Sequence, residues 1–199
     1  MRQLVFIHGG ESFATYKEYL DALRSWEYDP ATEPVKKWKE TLASELGEEW
    51  QVIMPSMPSK LNAKYLEWCI WFDKVVPHLH DGVVLVGHSL GGIFLAKYLE
   101  EGSLPVQVAA TFLIAAPHSE TEDGESLADF TLPKQLDRFA AQAGKLFLYH
   151  SEDDPVVPYS ELGKYQVQLP SATVRTFTDR GHFLGPELPE IIEDIRTLG

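Results

Sequence analysis

One cysteine, Cys69, is all the thiol chemistry the 199-residue chain carries, so no internal disulfide can staple it. The expected compartment is therefore a reducing one, the cytoplasm. Positive charge is also scarce: 17 lysines and arginines face 30 aspartates and glutamates, a formal net charge of −13. Such a surface repels phosphate-rich polymers and anionic bilayers, which argues against a nucleic-acid or membrane partner. No apolar run approaches the roughly 20 residues needed to cross a bilayer. The opening MRQLVFIHGG has one arginine and too short an apolar stretch for a signal peptide's core. The seven histidines lack H-E-x-x-H spacing and one cysteine cannot build a thiolate site, so no metal and no cofactor are expected. The acidic run ETEDGES lacks EF-hand spacing and reads as a solvated segment.

What remains is an ordinary globular composition, 44% apolar and 24% charged, long enough to enclose a core as a single domain over residues 1–199. Short apolar, β-branched runs alternate with helical periodicity, which predicts an α/β fold with a mainly parallel sheet. Strands are expected near Gln3–His8, Trp50–Met54, Val83–Val86, Ala109–Ala115, Lys145–Tyr149 and Val174–Thr178, the last at an edge. Thr15 and Glu18 have the spacing of a capping box for a helix reaching Trp26. Pro34 opens a second, with Val35, Trp38, Leu42 and Leu46 on its stripe and Gly47 at its end. Asn62 is placed to cap a third, carrying Tyr65, Leu66, Ile70, Trp71 and Val75, with Trp38, Trp68 and Trp71 read as core. His78 and His80, at its end, are expected to meet its last carbonyls. A fourth helix follows Ser89, and Phe130–Ala143 and Leu188–Leu198 are further candidates. The acidic, turn-rich stretch His118–Leu132 is expected to be a loop beside the site, with closure over it an open question.

The junction GHSLGG, residues 87–92, lies between GVVLV and IFLAKYLEEG. A strand handing over to a helix this abruptly needs glycine two residues before and after the serine, which lifts the Ser89 hydroxyl above the sheet. The helix start then aims free N–H groups at developing negative charge. A serine nucleophile needs a base oriented by an acid. His182, in TDRGHFLG after the last strand, is the candidate base, whereas His88 is read as packing support. In LFLYHSEDDPVVP the acid is Asp154 or Asp153. Asp154 is preferred because the apolar turn Pro155–Pro158 follows it. The chain order Ser89, Asp154, His182 is that of α/β-hydrolases. Backbone N–H groups for an oxyanion are expected from Leu90 and from Gly10 or Glu11 in the loop after HGG. Phe183 and Leu184 are candidates for an acyl pocket or for anchoring their own loop.

Together, VVLVGHSLGG, SEDDPVVP and TDRGHF resemble the α/β-hydrolase superfamily. More narrowly, they are similar to the small serine hydrolase family of retinoblastoma-binding protein nine and its bacterial relatives. The resemblance implies a three-layer α/β/α sandwich around a six-stranded parallel sheet, no large lid domain, and Ser89, Asp154 and His182 as a triad. The region from Phe13 to Lys36 is longer than in the smallest members. No L-x-C-x-E stretch is present, since Cys69 lies in LEWCIW, so no retinoblastoma-type partner is implied and any protein partner is left unassigned. The expected activity is hydrolysis of a small acyl substrate (a carboxylic ester, thioester or amide) through an acyl-enzyme. The alternatives are a catalytically silent interaction module on the same fold, or acyl transfer or cofactor-free haloperoxidase-like chemistry by the same groups.

Overall fold

Four of the six apolar runs become strands with almost no exposed side chain, so they must be covered on both faces. The computed structural model describes residues 1–32, 35–120 and 126–198. Its strands are β1 (Arg2–Ile7), β2 (Trp50–Ile53), β3 (Val83–His88), β4 (Val108–Ile114), β5 (Lys145–Ser151) and β6 (Thr173–Phe177). They form one sheet in the order β2-β1-β3-β4-β5-β6, every neighbouring pair parallel. The edge strand β6 has only exposed and half-buried residues, in keeping with its weaker apolar pattern.

Among the described residues seven α-helices flank the sheet: α1 (Tyr16–Ser25), α2 (Leu42–Leu46), α3 (Tyr65–Phe72), α4 (Leu90–Glu101), α5 (Asp137–Gln142), α6 (Ser160–Gln168) and α7 (Pro189–Arg196). Side chains leave a strand on alternate sides, and here that alternation makes two cores. Leu4, Phe6, Val84, Val86 and Phe112 face α2 and α7, packing on Leu42, Ile191 and Ile195. Val5, Ile7, Val83, Leu85 and Leu148 face the other way, onto Trp68 and Phe72 of α3, Phe94 of α4, Phe139 of α5 and Tyr165 of α6. The result is a three-layer α/β/α sandwich. In the sheet β1 and β3 are neighbours, yet α2 after β1 and α4 after β3 lie on opposite faces. That divergence opens a crevice above their carboxyl ends. A strut ties the far side: Tyr149 donates to Asp194 at 2.5 Å, and the Arg175 fork meets the same carboxylate at 3.0 and 2.7 Å. No helix among the described residues is long and apolar enough to cross a membrane.

The capping box forms as expected, with Thr15 and Glu18 each accepting the other's backbone N–H. Other helices differ from expectation. Pro34 lies outside the described residues, and the second helix is a 3-10 turn at Trp38–Glu40 followed by the five-residue α2, with Val35 exposed. α3 is capped by Lys64 rather than Asn62, and its buried face is Trp68 and Phe72; Leu66, Ile70 and Trp71 face outward. Glu67 is the one charged residue of the segment YLEWCIWF, whose apolar residues fall on every other side, so periodicity could not select the buried face. His78 and His80 make no ring hydrogen bond to a helix carbonyl among the described residues. The expected helix over Phe130–Ala143 shrinks to α5 behind a 3-10 turn at Ala128–Phe130, because Pro133 lacks the N–H a continuous helix needs. α6 was not foreseen at all.

Candidate active site

β3 enters α4 through Ser89, whose φ of 54° and ψ of −125° are conformations a non-glycine residue rarely adopts. Such strain costs on the order of 1–3 kcal/mol and persists only where the surroundings enforce it. They do so here. Ser89 N–H donates to the Ile114 carbonyl and the Ser89 carbonyl accepts from Gly92 N–H, both at 2.8 Å. A Cβ on Gly87 would stand 2.4 Å from the Gly91 carbonyl oxygen, and one on Gly91 would stand 2.2 Å from that of Ile7. The first glycine lets the helix fold back on its strand, and the second lets it press against β1. Leu90 is the first helical residue, so its N–H has no partner within the helix.

β5 ends at Ser151, and the turn after it leads through Asp153 to Asp154, whose Oδ1 accepts from Val156 N–H at 2.8 Å and Val157 N–H at 3.0 Å. His182, reached from β6, places Nδ1 at 2.9 and 3.1 Å from the two Asp154 oxygens. The side chain of Asp154 is fully buried and that of His182 nearly so. Burial alone raises a carboxyl pKa, but the His182 contact and the two N–H donors leave Asp154 below the ordinary carboxylate value. Asp153 instead accepts from Ser151 and from Gly181 N–H at 3.0 Å, so it shapes the turn that delivers the imidazole. Ser89 and His182 line one cleft of about 510 Å³ together with Gly9 and Gly10. No direct hydrogen bond joins the Ser89 hydroxyl to His182, a looseness common before a substrate binds.

The loop after β1 resolves two residues that the sequence left together. Glu11 N–H is spent on the Lys60 carbonyl at 2.8 Å, and no protein acceptor is found for Gly10 N–H among the described residues. Gly9 lies directly behind the serine, where an added Cβ would be 3.0 Å from that of Ser89. Phe183 is not a cleft residue. It is 3% exposed, belongs to the core, and its carbonyl accepts the Trp38 indole N–H at 2.8 Å. Leu184 does line the cleft.

Sequence reasoning missed a shared device. His8, His88 and His150 stand at the carboxyl ends of β1, β3 and β5, and each holds a site loop. The His88 ring bonds the His182 carbonyl at 2.8 Å, and its pKa is pushed down to about 3 by burial and by the neighbouring His182. Neutral at working pH, it donates from Nε2. His150 likewise donates to the Val157 carbonyl behind Asp154, and burial lowers its pKa. His8 bonds the Gly9 carbonyl through Nδ1 and accepts Met57 N–H at Nε2, which fixes a neutral tautomer. The available signal was positional: three of the seven histidines lie at the end of an expected strand or within two residues after it.

Glu161 was also missed, because α6 was. Only 1% exposed, it accepts from the N–H groups of His118 and Ser119 and pairs with Lys164. Burial would raise its pKa, but Lys164 and those donors leave it lowered. Glu161 lines a second slot of about 20 Å³ that meets the cleft at Ser89 and Gly10, together with Ser12, Leu90, Ser119 and Ser126. Among the described residues no group of three or more histidine, cysteine, aspartate or glutamate side chains is placed to hold a metal ion.

Comparison with known proteins points one way. The serine hydrolase family profile matches residues 31–186. The serine hydrolase RBBP9 of Rattus norvegicus is 28% identical over 151 residues, 75% of this chain and 78% of that protein. YdeN of Bacillus subtilis is 27% identical over 147 residues, 71% of this chain and 76% of its own. The crystal structure of that ydeN product superposes with a TM-score of 0.75 at 21% identity, covering 100% of this chain and 98% of the other. A meta-cleavage product hydrolase follows at 0.65 and 16% identity, covering 100% and 90%, a likeness of fold.

Proposed function

The chain belongs to the serine hydrolase family of the α/β-hydrolase superfamily, and from that premise we propose that it cleaves small carboxylic esters, or the related thioesters or amides, through an acyl-enzyme. Ser89 Oγ bonds the acyl carbon while His182 takes its proton, giving a tetrahedral oxyanion. The bond to the leaving group then breaks, and His182 returns the proton to the departing atom. Water, deprotonated by the same imidazole, attacks the acyl carbon; the bond to Ser89 Oγ then breaks, His182 returns the proton to that oxygen, and the acid is freed. Asp154 holds the tautomer that keeps Nε2 available and stabilises the imidazolium. Leu90 and Gly10 N–H groups receive the oxyanion; the Glu11 N–H is already committed to Lys60.

One observation carries this reading: His182, paired with the buried Asp154, lines the same cleft as a serine held at φ 54°. His182 borders the cleft and not the slot, so the departing atom belongs on the cleft side and the acyl group in the slot. A slot of about 20 Å³ favours acyl groups near acetyl in size. A fluorophosphonate probe tests the chemistry: it should label wild type and not Ser89→Ala, and no label on wild type refutes it. With p-nitrophenyl esters, kcat/KM should fall steeply beyond the shortest chains.

A further inference from the structure

In a chain with a net charge of −13, the cleft beside Ser89 is lined by Lys37, Lys39 and Lys60, with Glu11 as the lone carboxylate in its wall among the described residues. None of the three lysines takes part in a salt bridge among the described residues. His8 and His88, which also border the cleft, are held neutral by their hydrogen bonds and burial. A positively lined cleft on an acidic protein is the reverse of what random placement of scarce cations would give.

These cations are also positioned. Lys37 and Lys39 flank Trp38, which is buried and fastened twice to the His182 loop: its indole N–H to the Phe183 carbonyl at 2.8 Å, its backbone N–H to Gly185 at 3.0 Å. Both lysines are only partly exposed. The backbone of Lys60, whose side chain is exposed, is fixed from the other direction, since its carbonyl takes Glu11 N–H and sits 2.7 Å from where a Cβ on Gly10 would be. Burial lowers the Lys39 pKa, and the charges of Lys37 and Lys60 lower it further against the pull of Glu40. The cations therefore repel one another across the cleft, and a bound anion relieves that repulsion.

We infer that the leaving portion of the substrate carries an anionic oxygen group, a carboxylate or a phosphate, received by Lys37, Lys39 and Lys60 while a short acyl group occupies the slot. This rests on the acyl-enzyme reading above. The cleft, at about 510 Å³, has room for such a leaving group.

The test compares 4-acetoxybenzoate with its neutral methyl ester, and 4-acetoxyphenyl phosphate as a third substrate. For each anionic ester, the ratio of its kcat/KM to that of the neutral ester cancels defects common to both. In the Lys37→Gln/Lys39→Gln/Lys60→Gln variant that ratio should drop about tenfold, three partly screened charge pairs acting together. Removing equal charge elsewhere, with Lys74→Gln/Lys134→Gln/Lys145→Gln, should leave the ratio at its wild-type value. Raising ionic strength from about 0.01 to about 1 M, which cuts the screening length from about 30 to about 3 Å, should lower it in unmodified protein. This arm holds even if the triple variant folds poorly. The anionic ester that loses more identifies carboxylate or phosphate as the group received. A ratio that neither the cleft substitutions nor salt can move, with Ser89 still labelled and the neutral ester still cleaved, overturns this inference alone. Absence of labelling and of all turnover overturns the acyl-enzyme reading beneath it.

Discussion

Gly91→Ala adds a single carbon at the most crowded point of the elbow. Its Cβ would lie 2.2 Å from the Ile7 carbonyl oxygen, 2.7 Å from that of His8 and 2.8 Å from the Ile7 carbonyl carbon. All three are backbone atoms of β1 and its exit, so no side chain can rotate away. Reaching an ordinary contact of 3.4 Å requires the start of α4 and the end of β1 to separate by about 1.2 Å. Overpacking of this kind costs about 1–3 kcal/mol, and rigid backbone on both sides puts the cost near the upper figure. In a chain of this size that lowers Tm by roughly 6–12 °C. The same displacement moves Ser89 and the Leu90 N–H relative to Gly10, and a misplacement near 1 Å lowers turnover by about 100-fold. Gly163→Ala is the contrasting substitution: nothing lies within 4 Å of its Cβ, and it sits inside α6. It should stabilise by about 0.5–1 kcal/mol. Thermal unfolding and p-nitrophenyl acetate hydrolysis on both variants decide the matter. A Gly91→Ala protein that melts within about 2 °C of the parent and keeps full activity would refute the packing argument.

Asp154→Asn should preserve the fold yet reduce kcat by about 10⁴, since an amide no longer fixes the His182 tautomer. Asp153→Asn, which alters only the turn, should cost far less, and steady-state kinetics on the two separates their roles. Stability should also fall in acid. Asp154, Glu161 and Asp194 all have folded pKa values below their ordinary ones, so their contribution is complete above about pH 5 and disappears as pH drops through those lowered values. Urea midpoints measured from pH 6 to pH 3 should decline, and Asp194→Asn should show a shallower acid limb from a lower starting stability.

The sheet and the elbow could be read from residues because each rests on a short-range rule. Apolar runs such as VVLV must be strands covered on both faces, and glycines spaced around Ser89 are forced by backbone approach. Which side of α3 is buried was hidden, because Leu66, Ile70 and Trp71 are as apolar as the buried Trp68 and Phe72. α6 was hidden for the opposite reason: Glu161 interrupts the stripe of Leu162, Tyr165 and Leu169, and its burial makes sense only once His118 and Ser119 are seen donating to it. Asp154 could be preferred over Asp153 from the turn after it. Separating Gly10 from Glu11 required the Lys60 carbonyl, 49 residues from Glu11 and invisible to any local rule.

The indole of Trp38 finds its acceptor 145 residues further along, at the carbonyl of Phe183. A chain emerging from a ribosome has made Ser89 and its elbow long before that acceptor exists. The imidazole at 182 and the clamp that seats it thus arrive together, more than 90 residues after the elbow. A nascent chain that has released residue 89 but not residue 183 would hold that serine with neither the imidazole nor its clamp beside it.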